Sequence, residues 1–474
     1  MKLIARDSEV AQLASYAASN QSEFIALYGR RRVGKTFLIR KHFQDRFAFF
    51  VTGVIDGRKE EQMQAFCQAL NTFGFSGKRP KTWMEAFHQL AQLLERKAKV
   101  SRGRIVVFID ELPCFDTQNS GFVRALGHFW NTVGVAMSRL LLIVCGSATS
   151  WMIQKVVNNH GGLHNRITHT MHLKPFTLHQ TEQFVKAQRC RWDRMSILQA
   201  YMALGGIPYY LSKLDFEQGV PDNIDRLFFA EDAELQGEYH RLFQSLYRNP
   251  EGYMEIVKLL TRSKKGLTRK QISETLSLAN NGHLSRMLDD LVHCDFVRVY
   301  ANGLKRNQHI YQLIDFFVLF HHQFVERHKT DPHYWRNHLG TPLLNSWYGL
   351  AFERVCLCHV RQIIQALRLD AMHTEYYSWR SADSDPGAQI DLIIDRADGI
   401  ITICEIKYSR TEYSITRDEY HHILNRIECY SRESKCRKGI QTIIITTVGL
   451  KAHGFAEISP KFVTLNDLFR PLNN

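Results

Sequence analysis

Two groups of residues in this 474-residue chain have the types and spacing to do chemistry. The first is Gly29-Arg30-Arg31-Arg32-Val33-Gly34-Lys35-Thr36-Phe37, which satisfies G-x-x-x-x-G-K-[ST] between an apolar run and a helix-compatible pattern. Glycines there let backbone N–H groups turn inward around phosphates, and the following helix aims its N-terminus at the anion. Lys35 would reach the β- and γ-phosphates of ATP, and the Thr36 hydroxyl would ligate Mg²⁺. Asp110-Glu111 belongs to the same chemistry: Asp110 would hold Mg²⁺ through water, and Glu111 would polarise the attacking water. The second group is Asp391, followed by Glu405-Ile406-Lys407. Two carboxylates and a lysine suit metal-dependent hydrolysis, provided that all three reach one face of a sheet.

The surrounding pattern supplies elements to carry these groups. Phe24–Tyr28 reads as a buried strand, Lys35–Gln44 as a helix and Phe47–Thr52 as a second strand. Residues 57–75 and 82–98 repeat apolar side chains every three to four positions and predict helices. Ile105–Ile109 predicts a buried parallel strand that carries Asp110 and Glu111 to its C-terminal edge. Leu140–Cys145 is another strand, ending at Gly146-Ser147. Ser147 could sense the γ-phosphate, or simply cap a helix over Ser150–Val156. Arg166 follows the Gly161-Gly162 turn and His164, and precedes a strand over Ile167–Leu173. It could stabilise transferred charge, in cis or from a neighbouring subunit of a homo-oligomer, or form a structural ion pair.

Residues 240–325 predict three helices and a basic hairpin carrying Asn302-Gly303 and Lys305-Arg306, the pattern of a winged helix. DNA contact by the third helix and protein packing are both open readings, since Arg286 is the one Lys or Arg on that helix. Residues 326–346 read as a polar connection. Beyond them a helix over Trp347–Ile364 carries Glu353, and strands follow at Thr374–Trp379, Gln389–Asp395 and Ile400–Lys407. A three-residue loop, Ala397–Gly399, with Gly399 left-handed, would set Asp391 opposite Glu405; a two-residue turn would put it on the wrong face. Cys356-Leu357-Cys358-His359 reads as half-buried packing, because no second ligand pair follows at zinc spacing.

The phosphate loop, Ile109-Asp110-Glu111-Leu112-Pro113, Cys145-Gly146-Ser147, Asn165-Arg166-Ile167-Thr168, Leu173-Lys174-Pro175-Phe176 and Gly205-Gly206-Ile207-Pro208-Tyr209-Tyr210-Leu211 occur in this order. Together they resemble the archaeal-type ATPases of the AAA+/STAND group. The resemblance implies an α/β fold: a P-loop NTPase parallel sheet whose acid-bearing strand is not adjacent to the phosphate-loop strand, with a helical lid. Glu353, Asp391 and Glu405-x-Lys407 resemble the PD-(D/E)xK restriction-endonuclease-like superfamily, with Ile390 where the namesake motif has proline. That implies Mg²⁺ or Mn²⁺ on Asp391 and Glu405, outer support from Glu353, and Lys407 as a catalytic group. The implied domains are a P-loop ATPase core (1–176), lid (177–238), winged helix (239–326) and nuclease-like domain (345–474).

Lys plus Arg number 61 against 47 Asp plus Glu, a net charge of +14. That favours polyanionic partners, DNA foremost. Scattered cysteines and an N-terminal segment interrupted by Arg6, Asp7 and Glu9 predict a reduced cytoplasmic protein without a membrane segment. The functional expectation is an ATP-binding and ATP-hydrolysing protein controlling a nuclease-like domain. The alternatives are a signalling ATPase or DNA-binding regulator with a silent nuclease fold, and a self-inhibited toxin or defence factor.

Overall fold

The structure is a computed structural model describing residues 3–158, 162–163, 165–302, 305–328, 331–381, 388–452, 454–459 and 461–472. Gly161, His164 and Gly303 lie outside the described residues, as do the side chains of Lys305 and Arg306. The chain divides into two compact units: 1–175 with 241–250 and 289–295, and 176–240 with 251–288 and 296–474.

The first unit is an α/β layer structure. Its elements are α1 (Asp7–Ala18), β1 (Glu23–Tyr28), α2 (Lys35–His42), β2 (Phe49–Thr52), α3 (Lys59–Thr72), α4 (Trp83–Val100), β3 (Ile105–Asp110), α5 (Phe122–Phe129), β4 (Leu140–Gly146), α6 (Thr149–Met152) and β5 (His169–His172). The strands run in the order β2-β3-β4-β1-β5, all parallel. As expected, the acid-bearing β3 is not adjacent to β1; β4 lies between them. β1, β3 and β4 are buried almost throughout, which is why they read as unbroken apolar runs rather than alternating ones. One face packs on α3, α4 and α5, with Phe66, Phe87, Leu90, Leu94 and Phe122 meeting Phe49, Val107 and Leu142.

The second unit begins with α7 (Leu178–Ala187), α8 (Arg194–Leu204), α9 (Pro208–Leu211) and α10 (Val220–Ile224). Two helices, α11 (Glu238–Leu246) and α14 (Gly282–His293), have residues in both units; α12 (Glu251–Arg262) and α13 (Arg269–Thr275) lie in the second. Gly206 lies so close to Phe176 that a Cβ would stand 1.9 Å from its carbonyl oxygen, which accounts for glycine there. Strands β6 (Leu267–Thr268), β7 (Val297–Asn302) and β8 (Lys305–Leu313) form a small antiparallel sheet, β6-β8-β7. After α15 (Phe316–Phe320), the expected polar connection proves to be packed structure. Its α16 (Tyr334–Asn337) buries Tyr334 and Trp335, and Asp225 Oδ1 accepts the Trp335 N–H at 2.8 Å.

The helix expected over Trp347–Ile364 is two, α17 (Pro342–Cys358) and α18 (Val360–Ala366), broken at His359. The break has a use. His359 Nε2 accepts the first N–H of α7, from Leu178, at 3.0 Å, while Nδ1 donates to Val355 O at 2.7 Å. The remaining elements are β9 (Thr374–Arg380), β10 (Gln389–Arg396), β11 (Ile400–Lys407), α19 (Arg417–Ser434), β12 (Gly439–Thr446) and β13 (Phe462–Val463), with the strands ordered β13-β12-β11-β10-β9. No helix among the described residues is long and apolar enough to cross a membrane.

Burial holds the His359 imidazole neutral and pushes its pKa down from 6.5 to about 4. An unfolded chain binds a proton there that the folded chain does not, so this contribution is complete above about pH 6.5 and is lost as pH falls toward 4. Unfolding midpoints recorded across that window should fall with pH, and His359→Gln should flatten the dependence.

Candidate functional site

Parallel strands place their C-terminal ends at one edge, so β1, β4 and β3 deliver the phosphate loop, Ser147 and the two acids side by side. Gly29 has φ +147°, and a Cβ there would lie 2.3 Å from Leu173 O. Gly34, left-handed at φ 91°, caps α2. Arg30, Val33 and Lys35 are buried, while Arg31, Arg32, Thr36 and Phe37 are half-buried.

Lys35 Nζ spends its three protons on Gly29 O at 2.8 Å, Arg30 O at 3.0 Å and Ser147 Oγ at 3.0 Å. Burial pushes its pKa down, and the nearby Glu111 and Asp110 offset part of that. Thr36 Oγ1 donates to Asp110 Oδ2 at 2.7 Å. Burial pushes the Asp110 carboxyl upward, opposed by hydrogen bonds from Cys145 and Thr36. Hydroxyl and carboxylate in contact form the oxygen donor set that Mg²⁺ takes, so these residues fit the ion.

Glu111 stands in left-handed backbone (φ 46°), a conformation that costs about 1–3 kcal/mol for a non-glycine residue. It turns the carboxylate toward β4, where Oε1 accepts from Ser147 Oγ at 2.8 Å and Oε2 from Ser147 N at 3.2 Å. Ser147 is not the cap of α6, whose N-cap is Ala148 without a side-chain bond; its hydroxyl meets Lys35 and Glu111 instead.

Arg6 is a residue the sequence reading passed over. Buried at 4 % exposure, it donates to Val33 O at 3.2 Å and Lys174 O at 2.9 Å while pairing with Glu9 at 2.9 Å. It thereby clamps the phosphate loop, and the Arg-x-x-Glu spacing is its only sequence trace. Arg166 lies elsewhere. Thr168 N donates to Phe24 O and His169 pairs with Ile25, so the exposed Arg166 sits where β1 begins. At about 3.3 Å per residue, the loop after Tyr28 is some 15 Å further along. The cis role is therefore out of reach in this structure.

In the C-terminal sheet Leu392 pairs with Cys404 and Asp395 with Ile401. This is the register of the three-residue loop, with Gly399 at φ 81°; continued one pair beyond Leu392–Cys404, it sets Asp391 opposite Glu405. A bulge between Ile390 and Ile393 against β9 re-aims the strand at Asp391, which the pattern did not foretell. Asp391 Oδ1 accepts from Gln389 Nε2 at 2.6 Å. Glu405 is held by Arg426 of α19 and by Lys407 at 3.1 Å, and Lys407 also lies 3.5 Å from Glu419. Glu353 is within electrostatic reach: burial first, then Asp391 and Glu405, push its carboxyl up to about 7 against the pull of Arg354 and Lys264. Among the described residues no group of three or more His, Cys, Asp or Glu stands at metal-holding spacing. The sheet brings the acids near one another, with cations on Glu405.

The small β6-β8-β7 sheet adjoins this site. Arg298 Nη2 donates to Ser378 Oγ at 2.9 Å, and that hydroxyl donates to the Asp391 carbonyl. Buried Arg354 donates to Leu313 O at 3.2 Å and to Lys264 O.

Known proteins share part of this design. Residues 3–214 match the model of an ATPase domain found predominantly in Archaea. An uncharacterized protein of Methanocaldococcus jannaschii is 25% identical over 327 residues, 68% of each chain. A Walker-type ATPase of Pyrococcus abyssi superposes with a TM-score of 0.50 at 17% identity, covering 68% of this chain and 96% of its own. The ORC2 protein of Aeropyrum pernix aligns over 68% and 93%, with a TM-score of 0.43 and 12% identity. The Pyrococcus likeness is one of fold. Residues 3–214, which include the phosphate loop and the two acids, are thus similar to an archaeal-type ATPase domain.

Proposed function

We propose that this protein binds ATP with Mg²⁺ at Gly29–Phe37, hydrolyses it, and uses the cycle to control a metal-dependent, PD-(D/E)xK nuclease-like domain at 345–474 that acts on DNA. The observation that carries the first half is the contact chain Lys35–Ser147–Glu111 beside Thr36–Asp110. On ATP binding, Lys35 exchanges its loop carbonyls and Ser147 for phosphate oxygens. Thr36 and Asp110 would hold Mg²⁺, which would neutralise charge on the phosphates when bound. Glu111 orients and polarises water, and Ser147, released by Lys35, links the γ-phosphate position to that carboxylate. Arg166 serves a neighbouring copy's site in a homo-oligomer.

The second half rests on the β10–β11 register, which supports Asp391 and Glu405 as a carboxylate pair for Mg²⁺ or Mn²⁺ with Glu353 behind them. Lys407 would stabilise charge at the scissile phosphate. The domains follow the division core 1–176, lid 177–238, winged helix 239–326 and nuclease-like 345–474. A second reading has a specific observation in its favour. Arg426 and Lys407 already neutralise Glu405, and Arg298 ties β7 to β9, which favours a STAND-type signalling ATPase or DNA-binding regulator whose nuclease fold is silent. Under that reading the winged helix serves packing.

Cleavage of DNA by the full chain with Mg²⁺ or Mn²⁺, with and without ATP, separates the two. The first reading predicts metal-dependent cleavage that an Asp391→Ala, Lys407→Ala double variant abolishes. Undiminished cleavage by that variant sinks the assignment, and no cleavage under any condition leaves the silent fold. On the ATPase side, Arg6→Ala removes the charged hydrogen bonds that tie Val33 O of the loop to Lys174 O and should weaken ATP binding about tenfold by titration. Ser147→Ala should leave binding nearly intact and slow turnover by about the same factor. Unchanged turnover would remove Ser147 from the mechanism.

A further inference from the structure

Apart from these residues, α12 and the helical turn His321–Val325 bound a cavity of about 220 Å³ lined by Lys258, Thr261, Arg262, His322, Glu326 and Arg327. Lys258 and Arg262 stand one turn apart, so α12 presents both on one face. Lys258 Nζ pairs with Glu326 Oε1 at 2.6 Å, and His322 Nδ1 meets Oε2 of the same carboxylate at 2.9 Å. Burial pushes the Glu326 pKa up, but these two hydrogen bonds prevail and hold it at about 2. One carboxylate therefore faces three cations. Neither Arg262 nor Arg327 forms an ion pair or side-chain hydrogen bond among the described residues. His322 is 6 % exposed, and its Nε2 has no hydrogen-bond partner there either.

We propose that this cavity binds a phosphate group. With Lys258 already paired to Glu326, the two remaining guanidinium groups, Arg262 and Arg327, repel each other across one concavity unless a further anion joins them. Arginine forks match phosphate oxygens two at a time. The volume is below the roughly 300–1,000 Å³ that admits a whole small molecule, so the site takes a charged group and leaves the rest of its carrier outside. The carrier is a nucleic-acid strand or a free phosphate; the +14 net charge favours the strand. Nothing in this inference depends on cleavage at 345–474.

The test uses the full chain carrying Lys35→Ala, which weakens phosphate binding at the loop. Radiolabelled inorganic phosphate is followed by equilibrium dialysis, and a fluorescent single-stranded oligonucleotide by anisotropy across a salt series. Adding Arg262→Ala and Arg327→Ala, both exposed positions, should weaken oligonucleotide binding at least tenfold at low salt and lower the salt slope by about two. A control pair, Lys99→Ala with Arg102→Ala, should do neither. Loss of phosphate binding with oligonucleotide binding intact assigns the site to free phosphate. If the arginine variant binds both probes like its parent, if the control pair causes the same loss, or if the parent binds neither probe, the inference is overturned.

Discussion

With β4 between β1 and β3, the phosphate loop and the acids stand two strand spacings apart, about 10 Å, and cannot touch through the backbone. Ser147 at the end of β4 closes that gap by accepting from Lys35 and donating to Glu111. The arrangement needs a short side chain on the middle strand, a lysine long enough to reach it, and a glutamate turned toward it. The left-handed backbone at Glu111 supplies the last of these at the expense of local strain. Close packing fixes the rest: a Cβ on Gly146 would stand 2.7 Å from Pro113 Cδ, so the loops after β3 and β4 are wedged together.

A buried ammonium and a buried carboxylate are each costly unless paired. Lys35 and Asp110 are nevertheless both buried, and each is satisfied by neutral or opposite partners. The C-terminal acids follow different physics. Glu405 is half-buried and neutralised by two cations from the protein itself, so a metal there must compete with Arg426 and Lys407. That competition connects the two functional readings, because the same cations that silence the carboxylate would, if displaced, line a phosphate path.

Much of this was legible in the residues because local rules and the fold agree. The apolar runs at Phe24–Tyr28, Ile105–Ile109 and Leu140–Cys145 became buried strands, and the Gly29–Thr36 spacing became a loop at a helix start. The residues 396–399 allowed either of two hairpin registers, and the structure takes that of the three-residue loop. What escaped were features set by distant partners. His359 breaks a helix to cap α7 from 181 positions away in sequence. Arg6 reaches the loop from outside any motif. Tyr334 and Trp335 bury a stretch that its polar neighbours disguised as a linker. Arg166 was open to a role in cis, in a neighbouring copy or in an ion pair, and the β1–β5 register, which puts it at the other end of the strand, removes only the first.

The central claim is that the acids on β3 act on a nucleotide held by the loop on β1. ATP turnover and equilibrium ATP binding, measured side by side for the wild-type chain and Glu111→Gln, test it most directly. The account predicts that binding stays within about threefold while turnover falls by roughly two orders of magnitude, the scale of losing a general base. Turnover equal to wild type with binding intact would contradict it and assign the base elsewhere.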